Sequence, residues 1–176
     1  MKKNLLYCLL VLILFSSCNV FIRKHQTQLL EENKEINLYA FIGKRISVTE
    51  FNPNKDWKTL EIDSITGDTI FRIVYSMDFG FKAKYVVEKN IFNTIEKDTV
   101  TFRAYDHYGR PNFENYEYVI LYLSKNEEGD YIHQKYQYNP VKPIGKNKWS
   151  GLKGETIKSL FEEKKKNVLE ARGIFN

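Results

Sequence analysis

Apolar and polar side chains alternate with a period of two through most of the chain after Gly43, and this pattern predicts a succession of strands. Ile46, Val48 and Glu50 fall on one face and Arg45, Ser47, Thr49 and Phe51 on the other, until Asn52-Pro53-Asn54-Lys55-Asp56 ends the strand as a loop. Lys58–Ile65 and Asp68–Tyr75 flank Thr66-Gly67, a hairpin signal in which Gly67 supplies the positive φ of a tight turn. Lys82–Glu88 places Ala83, Tyr85 and Val87 on one face, and Asp98–Tyr105 does the same with Val100, Phe102 and Ala104. Polar residues between them imply one wet face. Val119-Ile120-Leu121-Tyr122-Leu123, within Tyr116–Ser124, is apolar on both faces and predicts a strand covered from both sides. Asn126-Glu127-Glu128-Gly129 turns it into a partner strand, Asp130–Tyr138, and Pro140 and Pro143 are expected to stop the sheet there by removing backbone donors.

The period changes to helical over Glu155–Arg172, where Ile157, Leu160, Phe161, Lys164, Val168 and Ala171 form one stripe, with Lys164 burying only its stem. Gly173 follows as a C-terminal cap. Strands followed by one helix, in a chain that is 15% aromatic, predict a mainly β (α+β) fold. The expected architecture is a small antiparallel β-barrel or sandwich with the C-terminal amphipathic helix sealing one opening.

The N-terminus breaks both periods. Lys2 and Lys3 precede Leu5–Phe15, a run without a charged side chain that has the length of a signal-peptide core. Crossing a bilayer takes roughly 20 apolar residues, so cleavage is favoured over a permanent span. Ser16-Ser17 then places small residues before Cys18. Cys8 lies inside the removable segment, which leaves Cys18 as the mature chain's only thiol and excludes an internal disulfide. A plain secretory signal, or an uncleaved anchor extending through Asn19-Val20-Phe21-Ile22, is the alternative.

Phe15-Ser16-Ser17-Cys18 resembles the lipobox of bacterial lipoproteins of the Bacteroidota type. That resemblance implies a signal peptide over residues 1–17, lipidation of Cys18, and residence at a bacterial membrane in the cell envelope. Asn19–Lys24 lacks the acidic residues that accompany surface export in that class, which implies the periplasmic face of the outer membrane. The stretch Lys82–Lys89, Asp98–Arg103 and Tyr118–Leu123 is similar to the central strands of an OB-like barrel of the netrin and tissue-inhibitor type. A lipocalin-like barrel is the competing architecture.

Residues 18–40 are largely polar and read as a tether, with an r.m.s. span of about 25 Å; residues 41–176 read as one β-rich domain with its helix at 155–172. Removing Lys2 and Lys3 leaves 25 basic against 22 acidic side chains, a net +3 that is no nucleic-acid signature. The excess is local, since Ile144–Asn176 carries eight Lys or Arg against four Glu. Glu162-Glu163-Lys164-Lys165-Lys166 has the look of a membrane-binding run but reads as a solvated face.

Candidate chemistry is densest in Tyr105–Tyr118, where Tyr105, Asp106, His107, Tyr108, Arg110, Phe113 and Tyr116 alternate polar groups and rings on a predicted loop. His133 joins this candidate binding surface from the following strand. The same residues also suit a purely structural loop, with Asp106 capping a turn that Gly109 and Pro111 shape. The catalytic alternative is an envelope hydrolase using His107 with Asp106 or Glu114, and a further alternative is an inhibitor or immunity-type lipoprotein. A metal shared by His107 and His133 would need the two rings to meet. His25 falls in the tether, while Trp57 and Trp149 suit barrel plugs or a sugar platform. No phosphate-cradling Gly-rich loop, serine-hydrolase elbow, paired-His zinc helix or CxxC occurs, so no cofactor and no metal is expected. The partners expected are the membrane, through the N-terminal lipid, and a protein or envelope glycan.

Overall fold

The computed structural model describes residues 31–55, 58–73 and 75–175. The signal segment, Cys18, His25 and Trp57 lie outside them. Eight strands follow in order: β1 (Tyr39–Phe51), β2 (Lys58–Ile62), β3 (Thr69–Ile73), β4 (Phe79–Phe92), β5 (Thr99–Asp106), β6 (Tyr118–Lys125), β7 (Tyr131–Gly145) and β8 (Lys148–Gly151). A 3-10 turn, Asn112–Asn115, separates β5 from β6, and the helix α1 (Ile157–Lys164) closes with a π-helical turn, Lys165–Leu169.

Strands β5-β4-β1-β6-β7 form a ring, closed by a parallel pairing of β5 with β7 at Arg103 and Ile132. All other pairings between these strands are antiparallel. Leaving aside the β2–β3 hairpin inserted between the first two barrel strands, this is the Greek-key order of an OB-like barrel. The hairpin forms as its turn chemistry dictates: Oδ1 of Asp63 accepts from the backbone nitrogens of Ile65 and Thr66, and Gly67 sits at φ 76°.

The alternation of the sequence sorts the core into two. Inside the barrel lie Phe41, Phe81, Ala83, Tyr85, Val100, Phe102, Val119, Leu121 and Leu123. Outside it, Ala40, Ile42, Ile120 and Tyr122 carry α1 through Leu160 and Phe161. Phe161 lies between the rings of Phe92 and Tyr122, at 5.6 and 6.4 Å. β6 is therefore buried on both faces, as its continuous apolar run requires. The helix covers the barrel wall and does not seal an opening. One end is plugged instead by Phe113, whose ring stands 6.1 Å from Tyr85 and 6.0 Å from Phe102.

Three further sequence expectations are corrected. Ile46 is 50% exposed, because the β1–β4 register slips between Arg45 and Ser47 and this bulge turns its side chain outward. β7 runs through Pro140 and Pro143 to Gly145: Pro140 is the last residue in register with β6, opposite Val119, and from Val141 onward the strand pairs with β8 while its other edge is no longer covered by β6, where a proline is tolerated. The π-helical turn adds one residue to the helical stripe, so Leu169 is buried where Val168 was expected, and Ala171 is exposed.

The folded unit also starts earlier than residue 41. Leu38 is fully buried, and Glu31 bridges to Phe92. Asn93, at φ 49°, binds the carbonyls of Asn33, Ile36 and Leu38 through its side-chain amide. Every described member of the two cores falls within residues 36–175.

Candidate functional site

Register places the loop 107–117 at one pole of the barrel. Phe79 pairs with Asp106 and Phe51 with Gly80 there, whereas Tyr39 pairs with Leu123 at the far pole, beside the segment that carries Glu31 and Asn93. The first pole gathers the ends of β1 and β5, the β2–β3 insertion, and a wide bulge in β7. In that bulge, residues 134–137 face Tyr122 alone, because His133 pairs with Leu123 and Tyr138 with Leu121. Tyr136 takes a φ of 67° at the crest.

Two groups fix the bulge. The Nε2 of His133 donates to the carbonyl oxygen of Gln137 at 2.8 Å, and Lys135 Nζ reaches both carboxylate oxygens of Asp78 at 2.7 Å. His107 Nδ1 lies 3.4 Å from Asp78 Oδ1. Hydrogen bonding to Lys135 is the main reason the Asp78 carboxyl titrates below its usual range, with a smaller share from His107. Above this ionic cluster the ring of Tyr108 stands 6.1 Å from Tyr136, and the two are 87% and 42% exposed. Met77 and Phe79, also exposed, flank Asp78.

The residues singled out from sequence divide into three groups. His107, Tyr108 and the β7 bulge meet at the surface. Asp106 is buried, and its Oδ1 accepts from the Tyr108 backbone nitrogen, so it shapes the turn and does not tune His107. Arg110 is locked to Glu114 by bonds of 2.6 and 2.7 Å and also donates to the Val48 carbonyl at 2.9 Å. Tyr105 stands edge-on to Phe51 at 6.1 Å, and Tyr116 tilts against Tyr138.

Phe113 and His133 are core residues, their rings 4.8 Å apart. Assigning Phe113 to a contact surface is thereby corrected, because an apolar ring at the mouth of an unfilled barrel gains most by entering it. Burial pushes the imidazole of His133 down to about 4, so it is neutral near pH 7. A cavity of about 230 Å³ lies beneath, lined by Asp106, Phe113, His133, Tyr136 and Tyr138 among others. Its carboxylate and its imidazole are each committed to a backbone group.

His107 therefore pairs with neither Asp106 nor Glu114, and the two imidazoles bind separate partners. Among the described residues, no three His, Cys, Asp or Glu side chains group to hold a metal, and no helix is long and apolar enough to cross a membrane. Trp149 packs on Tyr118 at 5.0 Å beneath β8 rather than plugging the barrel. Lys164 reaches Gln137 at 3.2 Å and Lys165 lies over Phe175, so that part of the charged run serves packing. Sequence reasoning passed over Asp78, the hub of the cluster, because its contact with Lys135 spans 57 residues and no local spacing signals it. No protein-family model matches the chain, and neither curated proteins nor solved structures give a match.

Proposed function

We propose that this protein is a lipid-anchored binding module of the bacterial cell envelope, held through Cys18 at the periplasmic face of the outer membrane. The pole built from Tyr108, Tyr136 and the Asp78 cluster is its recognition surface. The observation that carries this reading is the exposure of two neighbouring tyrosine rings on backbone that is otherwise fixed. The Tyr108 turn is held by Asp106, and the Tyr136 crest by His133 and Lys135. Rigid aromatic anchors with few rotors lose little entropy on binding and lead the energetics of protein contacts. Flat rings beside charged hydrogen-bonding groups suit a protein or an envelope glycan.

The polarity of the domain supports the same reading. The chain enters beside Phe92, at the pole opposite Tyr108. Twelve residues separate Cys18 from Glu31, so the anchor joins the domain on the side opposite the tyrosines. Acyl chains contribute on the order of 0.8 kcal/mol per buried methylene, and two or more give lasting attachment. Palmitate labelling lost in Cys18→Ser supports the anchor, and labelling that persists overturns it. Capture of an envelope partner that disappears with Tyr108→Ala and Tyr136→Ala together supports the surface; undiminished capture removes it.

A further inference from the structure

We propose that the hairpin formed by the end of β7 and β8 is a docking surface for the headgroups of an anionic lipid bilayer, separate from the tyrosine pole and from Cys18. From Tyr131 to Gly154 the chain contains five lysines and no carboxylate. Four of them, Lys142, Lys146, Lys148 and Lys153, are exposed on the hairpin and the turn after it, and none forms an ion pair among the described residues. Lys142 pairs with Ser150 and Lys148 lies two residues before it, so these two lysines share one face. Lys158, exposed on the first turn of α1, adds a fifth cation nearby.

The carboxylate closest in sequence is engaged by the turn itself. Glu155 Oε2 accepts from the Lys153 backbone nitrogen at 2.9 Å, and the Glu155 carbonyl accepts from Gly151 at 2.8 Å. That turn, Val141 in the outer core and Trp149 against Tyr118 hold the hairpin's base rigid. Two aliphatic side chains stand among the lysines without cover, Ile144 at 60% and Leu152 at 48% exposure.

Charge and shape together select the occupant. Lysines alone fit any polyanion, but a nucleic-acid backbone meets only the cations and offers the two uncovered aliphatics no apolar partner. Uncovered aliphatics ringed by lysines match a headgroup layer, which meets the cations with phosphate and the aliphatics with the acyl boundary. A soluble acidic protein satisfies the first property and leaves the second unused.

The test uses residues 31–176, which hold every described core residue and lack the N-terminal apolar run, once circular dichroism and a cooperative melt show that they fold. Co-sedimentation is measured with vesicles of pure phosphatidylcholine and of equal parts phosphatidylcholine and phosphatidylglycerol. Binding to the mixed vesicles alone is expected, weakened by salt, and lowered about 100-fold or more when Lys142, Lys146, Lys148 and Lys153 are all replaced by Gln. Ile144→Ser with Leu152→Ser should lower it about tenfold at unchanged charge. Equal binding to both vesicles, or binding unmoved by the four glutamines, overturns the proposal. So does a soluble polyglutamate that binds as tightly as the mixed vesicles and ignores the two serine substitutions. Tyr108→Ala should leave vesicle binding unchanged, which keeps this outcome apart from that of the recognition pole.

Discussion

His133 closes the bulge of β7 with a single bond, from its Nε2 to the carbonyl oxygen of Gln137 four residues on, at 2.8 Å inside the core. A carbonyl can only accept, so the ring must carry its proton on Nε2. The bond organises the surface indirectly, because the bulge it closes is the one that lifts Tyr136 to the crest.

That burial makes stability depend on pH. The imidazole titrates near 4 in the folded chain and near 6.5 when unfolded, so between these values the unfolded state binds more protons. Stability attributable to this residue is complete above about pH 6.5 and falls by up to about 3 kcal/mol as pH drops toward 4. Asp78, whose carboxyl is depressed, loses its contribution only below its unfolded value of 3.8, so the two windows separate. Urea unfolding across pH 4.5–7.5 should show this slope in the native chain and lack it in His133→Gln. Equal slopes would remove the assignment.

Phe113 and Tyr108 sit five residues apart in one loop and should behave oppositely. Phe113→Ala empties the barrel plug and is expected to cost about 3–5 kcal/mol. Tyr108→Ala removes an exposed ring and should change stability by less than about 0.5 kcal/mol. Thermal melting of both variants distinguishes a plug from a contact residue.

Gly43 is required by contact. A Cβ there would stand 2.9 Å from Phe41 Cε2, 3.0 Å from Tyr85 Cδ1 and 3.4 Å from Leu121 Cδ1, and rings packed in a filled barrel have little room to yield. Gly43→Ala should destabilise by about 1–3 kcal/mol, read as a lower denaturant midpoint at unchanged slope.

What the sequence reveals follows from how far each signal reaches. Strands β4, β5 and β6 are legible because alternation reports local burial, and Val100, Phe102 and Ala104 are buried as their period requires. Ala40-Phe41-Ile42 is the most deeply buried part of β1, yet it reads poorly. A run buried on both faces has no period, and here it adjoins polar text. The Ile46 bulge and the π-helical turn each insert one residue, which no periodic template anticipates. In the site, the dense loop was visible by composition, while the sorting of its residues into plug, turn former and exposed ring depends on barrel closure. Asp78 illustrates the limit, since its partners come from β7 and from the loop after β5.

The tyrosine pole is expected to meet a partner, and the entry pole, which carries the tether, is expected not to. A photo-crosslinking residue placed at position 108, and separately at position 97 on the entry pole, tests this in living cells. Crosslinks to one discrete envelope component from position 108, and to none from position 97, are the predicted result. The same component captured equally from both positions, or from neither, would contradict it.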